Sequence, residues 1–168
     1  MRFSALFLLL PTLMTMAHGQ TKMDRALQRY NRGSVPYVQV QEVTPSEDIL
    51  LLDTREHEEY AVSHLQDAHW VGHKDFDAEE FTKEHPDRQR PIIVYCSIGV
   101  RSENIGEALQ ELGYTHVKNL YGGIFAWKNE NRTVYNGQGQ PTDSVHAFNK
   151  QWGKLLQKGT KVYTGPKK

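Results

Sequence analysis

Two short apolar runs constrain the fold of this chain more than any other feature. Residues 49–52 are all Ile or Leu and end on Asp53, and residues 92–95 read Ile-Ile-Val-Tyr and end on Cys96. Such runs are too short for helices, and a strand with no polar face belongs in the interior of a parallel sheet with helices on both faces. The two runs therefore predict an α/β fold with at least two central strands.

The rest of the chain alternates between strand and helix patterns in the way that an α/β fold requires. Three further strands are predicted, at residues 37–40, 69–71 and 117–120. Helix patterns are predicted at residues 23–32 and 56–60, after Arg101 as far as Gly113, and at 124–131, and residues 77–83 are predicted to be a polar helix or a turn. Ligands of such folds bind at the carboxyl ends of the strands, which is where Cys96, Asp53 and Gly122 are expected to meet.

Cys96 is the only cysteine in the chain and lies between a predicted strand and a predicted helix. A loop before a helix N-terminus directs backbone N–H groups at an anion, and the helix dipole adds positive potential. Both effects lower the pKa of a thiol, and Arg101 adds a fixed charge with forked donors. The sequence predicts Cys96 as a nucleophilic thiolate. The alternative is a small buried hydrophobic residue.

Residues 1–19 are expected to be an export signal. Arg2 precedes an apolar stretch at residues 3–10, and Ala17-His18-Gly19 is a small-x-small cleavage pattern. The stretch is too short for a membrane helix, so the expected location is periplasmic or secreted, without membrane attachment after cleavage. A retained amphipathic arm is the alternative. A lone cysteine in an exported protein is either an intermolecular bridge or a reactive thiol.

Charge and histidine distribution exclude several classes of partner. The chain has 20 basic and 20 acidic residues, and no basic stripe with interleaved aromatic residues indicates nucleic-acid binding. Its eight histidines show no ligand spacing, so neither a metal site nor a cofactor is predicted. One cysteine also excludes any mechanism that needs a resolving cysteine on the same chain.

The C-terminal region is predicted to be a connector followed by a helix. Residues 131–143 are rich in Gly, Asn, Gln and Pro. Beyond them, apolar residues recur at helical spacing: Val145, Phe148, Trp152, Leu155 and Leu156. We expect this helix to pack onto the domain, and a partner-docking helix is the alternative.

Three segments, in order along the chain, resemble the rhodanese domain, the fold of thiosulfate sulfurtransferase. They are Asp53-Thr54-Arg55-Glu56 with Glu59-Tyr60 and His64-Leu65; Val94-Tyr95-Cys96-Ser97-Ile98-Gly99-Val100-Arg101-Ser102; and Leu120-Tyr121-Gly122-Gly123 with Trp127. The chain departs from the family after Val62, where Ser63-His64-Leu65-Gln66-Asp67-Ala68 replaces Gly-His-Ile-Pro-Gly-Ala.

The resemblance implies an open, mostly parallel five-stranded sheet with helices on both faces, here with a C-terminal helical extension. The expected organisation is a signal at 1–19, an N-terminal extension at 20–35, the rhodanese-like domain at 36–131, and the connector with the helical extension at 132–168.

The resemblance also implies a persulfide mechanism. The Cys96 thiolate would take sulfur from a small sulfur anion such as thiosulfate and pass it to a thiol, a protein or another thiophilic acceptor. Arg101 would hold the oxyanion of the donor. The remaining loop residues expected to bind substrate are Ser97, Ile98, Gly99, Val100 and Ser102.

Five further residues are expected to support the cysteine loop, and each has an alternative role. Asp53 and Arg55 are expected to form an ion pair that braces the loop, with direct chemistry as the alternative. His64 is expected to be a hydrogen-bonded structural residue, with general acid as the alternative. Gly122 and Gly123 either let the backbone approach the cysteine loop closely or form a plain turn.

Two rival functions remain at this point. A rhodanese-like module could bind a partner or carry sulfur without fast turnover. A cysteine phosphatase or arsenate reductase normally has five residues between cysteine and arginine, whereas only four separate Cys96 from Arg101.

Overall fold

The computed structural model describes residues 21–165, which fold around a five-stranded sheet. The strands of this sheet are β1 (Tyr37–Val38), β2 (Leu50–Asp53), β3 (His69–Trp70), β4 (Ile92–Tyr95) and β5 (Val117–Leu120). The helices are α1 (Lys22–Tyr30), α2 (His57–Val62), α3 (Ala78–Glu84), α4 (Arg101–Glu111) and α5 (Gly123–Asn129), with a 3₁₀ turn at Val40–Glu42. Each of these strands and helices overlaps a segment predicted from the sequence, but β1 is shorter than the predicted strand at 37–40 because Val40 begins the 3₁₀ turn.

The sheet is parallel throughout, in the order β1-β5-β4-β2-β3. The chain moves outward from β2 to β3, returns to the other side of β2 as β4, and continues outward to β5. The direction therefore reverses between β2 and β4, and ligands of open α/β sheets bind beyond the carboxyl ends of strands at such a point. Asp53 ends β2 and Cys96 follows β4 there.

Alternate residues of the central strands supply two separate cores, which explains why the apolar runs have no polar face. Leu50 and Val94 point to one side, where Phe81 of α3 and Ile105 of α4 cover them. The opposite face is covered by α5 and by the C-terminal region, and its buried strand residues are Leu51, Ile93 and Tyr95. Both faces are covered by helices, as expected for the fold class.

The N-terminal extension is docked against α4. The Glu103 carboxylate accepts hydrogen bonds from the backbone N–H groups of Arg32 at 2.8 Å and Gly33 at 2.7 Å. At the other end of α1, Thr21 and Asp24 form a reciprocal capping box. The Asp24 carboxylate also accepts from the Tyr121 hydroxyl, so the extension is held to the domain at both of its ends.

The predicted C-terminal α-helix is wrong. Residues 131–143, predicted as a connector, contain an antiparallel hairpin of β6 (Val134–Tyr135) and β7 (Pro141–Thr142). The following residues form β8 (Ser144–His146), which pairs in parallel with β9 (Thr160–Val162), and a single 3₁₀ turn at Trp152–Lys154 lies between them.

Local backbone chemistry explains the difference. Phe148 has a positive φ of 61°, which interrupts any helix, and the Asn149 side chain accepts from the N–H groups of Gln151 and Trp152 to begin a short turn instead. Val145 and Leu156 are buried in the core as expected, whereas Phe148 is 45% exposed. Helical spacing identified two of the anchors but not the backbone that carries them.

The predicted export signal at residues 1–19 lies outside the described residues. Within residues 21–165, no helix has the length and apolar character needed to cross a membrane.

Candidate active site

Cys96 lies at the carboxyl end of β4 with its side chain almost completely enclosed, at 1% exposure. The Gly99 N–H donates to Sγ over 3.1 Å, and the backbone N–H of Ser102 also stabilises the charged sulfur. The loop between these residues therefore curls around the sulfur with its N–H groups inward, as the sequence predicts.

Two asparagine amides fix the far side of the loop. Asn119 of β5 and Asn31, just after α1, each donate from Nδ2 to the Gly99 carbonyl oxygen at 2.8 Å. The Asn119 Oδ1 accepts in turn from the Ser102 hydroxyl at 2.8 Å. These bonds fix the Gly99 carbonyl and so hold in place the residue whose own N–H donates to Cys96.

Burial and charge act on the Cys96 thiol in opposite directions. Burial on its own would raise the pKa of the thiol. The Arg101 charge and the hydrogen bonds from Ser102 and Gly99 outweigh it, so the pKa of Cys96 lies below its ordinary value. The site thus favours the thiolate, which is the nucleophilic form.

Arg101 is held in place by Glu59 of α2. Its Nη1 donates to Glu59 Oε2 at 2.6 Å, and its Nη2 donates to Oε1 at 2.9 Å and to the Ser97 hydroxyl at 3.0 Å. The Ser97 hydroxyl also donates to Glu59 at 3.0 Å. Burial opposes ionisation of Glu59, but Arg101 and Arg55 together keep the pKa of its carboxyl below the ordinary value. The pair is a buried, forked ion pair.

The start of α5 touches the cysteine loop directly. Ile124 N–H donates to the Cys96 carbonyl at 3.0 Å, and Phe125 N–H donates to the Ser97 carbonyl at 3.1 Å. Gly123 has a φ of 53°, and a Cβ at this position would lie 2.3 Å from the Cys96 carbonyl oxygen. Only glycine permits this approach.

Comparison with known proteins agrees with this geometry. The family model for the rhodanese-like domain matches residues 38–130. That match covers more than half of the chain and contains the cysteine loop. The chain belongs to the rhodanese-like domain family.

Individual relatives differ in the activities that their names state. Thiosulfate sulfurtransferase GlpE of Coxiella burnetii is 28% identical over 94 residues, which cover 56% of this chain and 85% of that protein. The tRNA uridine(34) hydroxylase of Chlamydia felis is 32% identical over 83 residues, which cover 46% of this chain but only 26% of that protein. Among solved structures, the BH2092 protein of Bacillus halodurans superposes with a TM-score of 0.55 at 24% identity, covering 69% of this chain and 88% of that one.

The residues of this rhodanese-like domain that the sequence assigns to supporting roles make contacts within the domain. Asp53 and Arg55 are fully buried and form an ion pair, with Arg55 Nη2 at 2.6 Å from Asp53 Oδ2 and also at 2.6 Å from the Ser63 carbonyl. The His64 ring stacks on Tyr60, and its Nδ1 lies 3.1 Å from the Tyr60 carbonyl. Asp67, where the family has glycine, takes a left-handed φ of 56°, which Asp tolerates better than most residues.

The loop presents its backbone rather than its apolar side chains to the sulfur. Ile98 is buried in the core, and Val100 packs against the same core. Of the two glycines, Gly123 makes the close approach, whereas Gly122, with a φ of 69°, precedes α5 as its N-cap. Trp127 is a core residue whose Nε1 donates to the Thr133 carbonyl at 2.9 Å.

Several residues of the site carry no signal in the sequence that would place them there. Glu59 lies within a segment that carried the resemblance, but nothing in the sequence pairs it with Arg101. Asn31 and Asn119 are far from Cys96 in sequence and carry no motif. His146 and Phe148, which lie beyond the family match, reach the Glu59–Arg101 pair from the C-terminal region.

Proposed function

We propose that this protein is a sulfurtransferase that carries sulfur as a persulfide on Cys96. The observation behind the proposal is an enclosed thiol at the end of β4 that accepts the Gly99 N–H at 3.1 Å and has a lowered pKa. Relatives named thiosulfate sulfurtransferase support the same reaction class.

The reaction has two displacement steps. The Cys96 thiolate attacks the outer sulfur of a donor such as thiosulfate, a new S–S bond forms, and sulfite leaves with the electron pair of the old S–S bond. A thiophilic acceptor, such as cyanide or a thiolate, then attacks the outer sulfur of the persulfide, and Cys96 leaves as a thiolate. The inward N–H groups of the loop stabilise the anion at each stage.

The short loop favours sulfur transfer over phosphate chemistry. Four residues separate Cys96 from Arg101, and Arg101 uses both of its Nη atoms on Glu59. A phosphatase needs a wider ring of N–H groups and a free guanidinium for a tetrahedral oxyanion, whereas a single sulfur atom fits the smaller ring.

Mass spectrometry tests the proposal directly, because the chain has one cysteine. After incubation with thiosulfate, the peptide that contains Cys96 should gain one sulfur atom, and cyanide should remove it as thiocyanate. Cys96→Ser is the control, since a hydroxyl cannot form a persulfide. Thiocyanate production by the Cys96→Ser protein at the rate of the parent would refute the mechanism.

A sulfur carrier with slow turnover is the second candidate. Two observations favour it: the thiol is 1% exposed, and the neighbouring Arg101 is occupied by Glu59. Single-turnover experiments separate the two functions. A persulfide that forms readily but is discharged slowly by every small acceptor indicates a carrier.

Export of the protein remains part of the proposal. N-terminal sequencing of the protein recovered from outside the cytoplasm should give Gln20 as the first residue. Recovery of a chain that retains residues 1–19 would contradict cleavage.

A further inference from the structure

The C-terminal region adds residues to the active site from outside the family match. Strand β8 lies against α2, and His146 Nδ1 is 3.9 Å from the Glu59 carboxylate. Two residues later, the centroid of the Phe148 ring lies 5.0 Å from Arg101 Cζ, which is a cation–π contact. The side chain of Arg101 is left only 19% exposed.

The backbone of Phe148 is strained, and burial of its side chain in the core does not offset the strain. Its φ is 61°, and the Asn149 N–H donates to the Ala147 carbonyl at 2.7 Å, closing a three-residue turn. A positive φ is unfavourable for a bulky side chain, and turns of this kind are rare. Burial does not compensate for it, since Phe148 is among the most exposed large apolar residues of the region described, at 45%.

Neighbouring groups hold this strained turn in place. The Phe148 N–H donates to His146 Nδ1 at 3.3 Å, and burial lowers the pKa of His146, which keeps that nitrogen available as an acceptor. Val145 and Ala147 on either side of His146 are fully buried. Strained residues held by their surroundings are concentrated at functional sites.

The domain itself encloses Cys96, which is 1% exposed. The α5 backbone meets Cys96 at Gly123, and a Cβ at Gly99 would lie 3.5 Å from Leu27 of α1. The charge of Arg101 acts on the thiol, the Arg101 side chain borders the solvent, and the Phe148 ring lies over its guanidinium. A molecule that reaches Cys96 along Arg101 would therefore meet the Phe148 ring.

We propose that Phe148 is a specificity-determining residue, which narrows the approach to Cys96 so that slender sulfur donors and acceptors react and bulky thiols are excluded. The chemical class favoured is small anions and unhindered nucleophiles such as thiosulfate, sulfite and cyanide. The substrate class rests on the proposed sulfurtransferase function. The restricted access to the thiol does not depend on that function.

Alkylation of Cys96 tests the access without any sulfur transfer. The limiting rates, measured well above the thiol pKa, are compared for iodoacetamide and for the larger N-phenylmaleimide. Phe148→Gly removes the ring and accepts the positive φ. It should raise the maleimide rate relative to the iodoacetamide rate by at least about tenfold, the lower end of what apolar pockets achieve in size discrimination.

Three further variants control for folding and for the ring itself. Phe148→Tyr keeps an aromatic ring and should preserve the parent ratio. Tyr163→Ala removes an equally exposed aromatic residue, at 44%, from the same region and should also preserve it. Phe148→Asn tolerates a positive φ and replaces the glycine variant if that protein melts early.

The outcomes distinguish the inference from the proposed function. An unchanged ratio in a folded Phe148→Gly or Phe148→Asn protein overturns the role of Phe148, as does an equal acceleration of both reagents. If the ratio changes but thiosulfate leaves no sulfur on Cys96, the gating role stands and the sulfurtransferase proposal fails. If the ratio changes and thiosulfate does load Cys96 with sulfur, the rates at which glutathione and cyanide discharge the persulfide are compared. The ratio of the glutathione rate to the cyanide rate should be higher for Phe148→Gly than for the parent.

Discussion

At the scale of single residues, the state of Cys96 depends on a few polar contacts inside an apolar surrounding. The thiol is buried, which disfavours its charge, and Arg101 together with the N–H groups of the loop reverses that preference. Glu59 partly offsets the Arg101 charge while fixing its position. The ionisation of the thiol therefore depends on Arg101, which Glu59 holds in place, as well as on the N–H groups of the loop.

The pH dependence of Cys96 alkylation should report this balance. The rate of reaction with iodoacetamide should have its midpoint below the pH of an ordinary thiol, and thiosulfate should protect the protein. Arg101→Ala should move the midpoint upward, because burial then acts with less opposition. A midpoint unaffected by Arg101→Ala would show that the hydrogen bonds of the loop alone activate the thiol.

Glu59→Gln tests the other half of the pair. Breaking a buried ion pair leaves Arg101 without its counter-charge, so the free energy of unfolding at pH 7 should fall by about 3 kcal/mol. Loss of the nearby negative charge should also lower the pKa of Cys96. Glu58→Gln, an exposed neighbour on α2, is the matched control and should change neither quantity.

The sign of the pH effect on stability follows from the lowered pKa of Glu59. The stabilising contribution of the Glu59 carboxylate is complete above 4.5, the pKa of this group in the unfolded chain. It is lost as the pH falls through the lower pKa of Glu59 in the folded protein. The stability difference between the parent and Glu59→Gln should therefore shrink in acid, as measured by denaturant unfolding. An equal difference at neutral and acid pH would contradict the ion-pair explanation.

At the scale of elements, the site depends on how closely α5 approaches the loop after β4. Two backbone hydrogen bonds join the first turn of α5 to Cys96 and Ser97. This contact needs a glycine at residue 123 for two reasons, the positive φ and the lack of space for a Cβ.

Paired glycine substitutions separate those two reasons. Gly139 has a φ of 71° and open space around its Cα, so Gly139→Ala should cost only the strain of the conformation, about 1–2 kcal/mol. Gly123→Ala should cost roughly 1–3 kcal/mol more, because the methyl group overlaps the Cys96 carbonyl. It should also slow Cys96 alkylation. Equal losses of stability in thermal or denaturant unfolding would show that the loop yields to the added methyl group.

The elements that sequence reasoning predicted are those whose signals are local. The runs at β2 and β4 are apolar on both faces, and that pattern is sufficient to assign central strands. The structure of the C-terminal region was predicted incorrectly because the spacing of Val145, Trp152 and Leu156 fits a helix by coincidence. Its real structure depends on pairing β8 with β9 across an intervening turn, and such non-local pairing has no sequence period.

The same distinction applies to the site. Cys96, Arg101 and the loop between them form one contiguous segment, so their proximity could be inferred. Glu59 and Asn119 reach the loop only after the sheet has formed, and Phe148 does so only because of a strained turn. These contacts are products of tertiary structure.

At the scale of the whole molecule, regions on both sides of the family match complete the site. The N-terminal extension supplies Asn31 to the Gly99 carbonyl, and the C-terminal region supplies Phe148 to Arg101. The C-terminal region is also tied to α5, where Asn129 donates to the Leu155 carbonyl and accepts from the N–H groups of Gln157 and Lys158. Stability and access to the thiol are therefore linked through this region.

Ending the chain at Asp143 tests that linkage. This truncation keeps the β6–β7 hairpin and removes β8 and β9, together with Val145 and Leu156, which are fully buried. Burying each of these two side chains is worth about 1.5–3 kcal/mol. The melting temperature should therefore fall by roughly 10 °C or more for a protein of this size.

The control is a chain that ends at Gly165, which retains every residue that the structure describes and should melt with the parent. In the Asp143 truncation, N-phenylmaleimide should also reach Cys96 faster relative to iodoacetamide, because Phe148 is gone. If the truncated protein melts at the parent temperature, the C-terminal region adds nothing to the core. A partner-docking role then explains its apolar residues better than packing does, since those residues would otherwise have no apolar surface to cover.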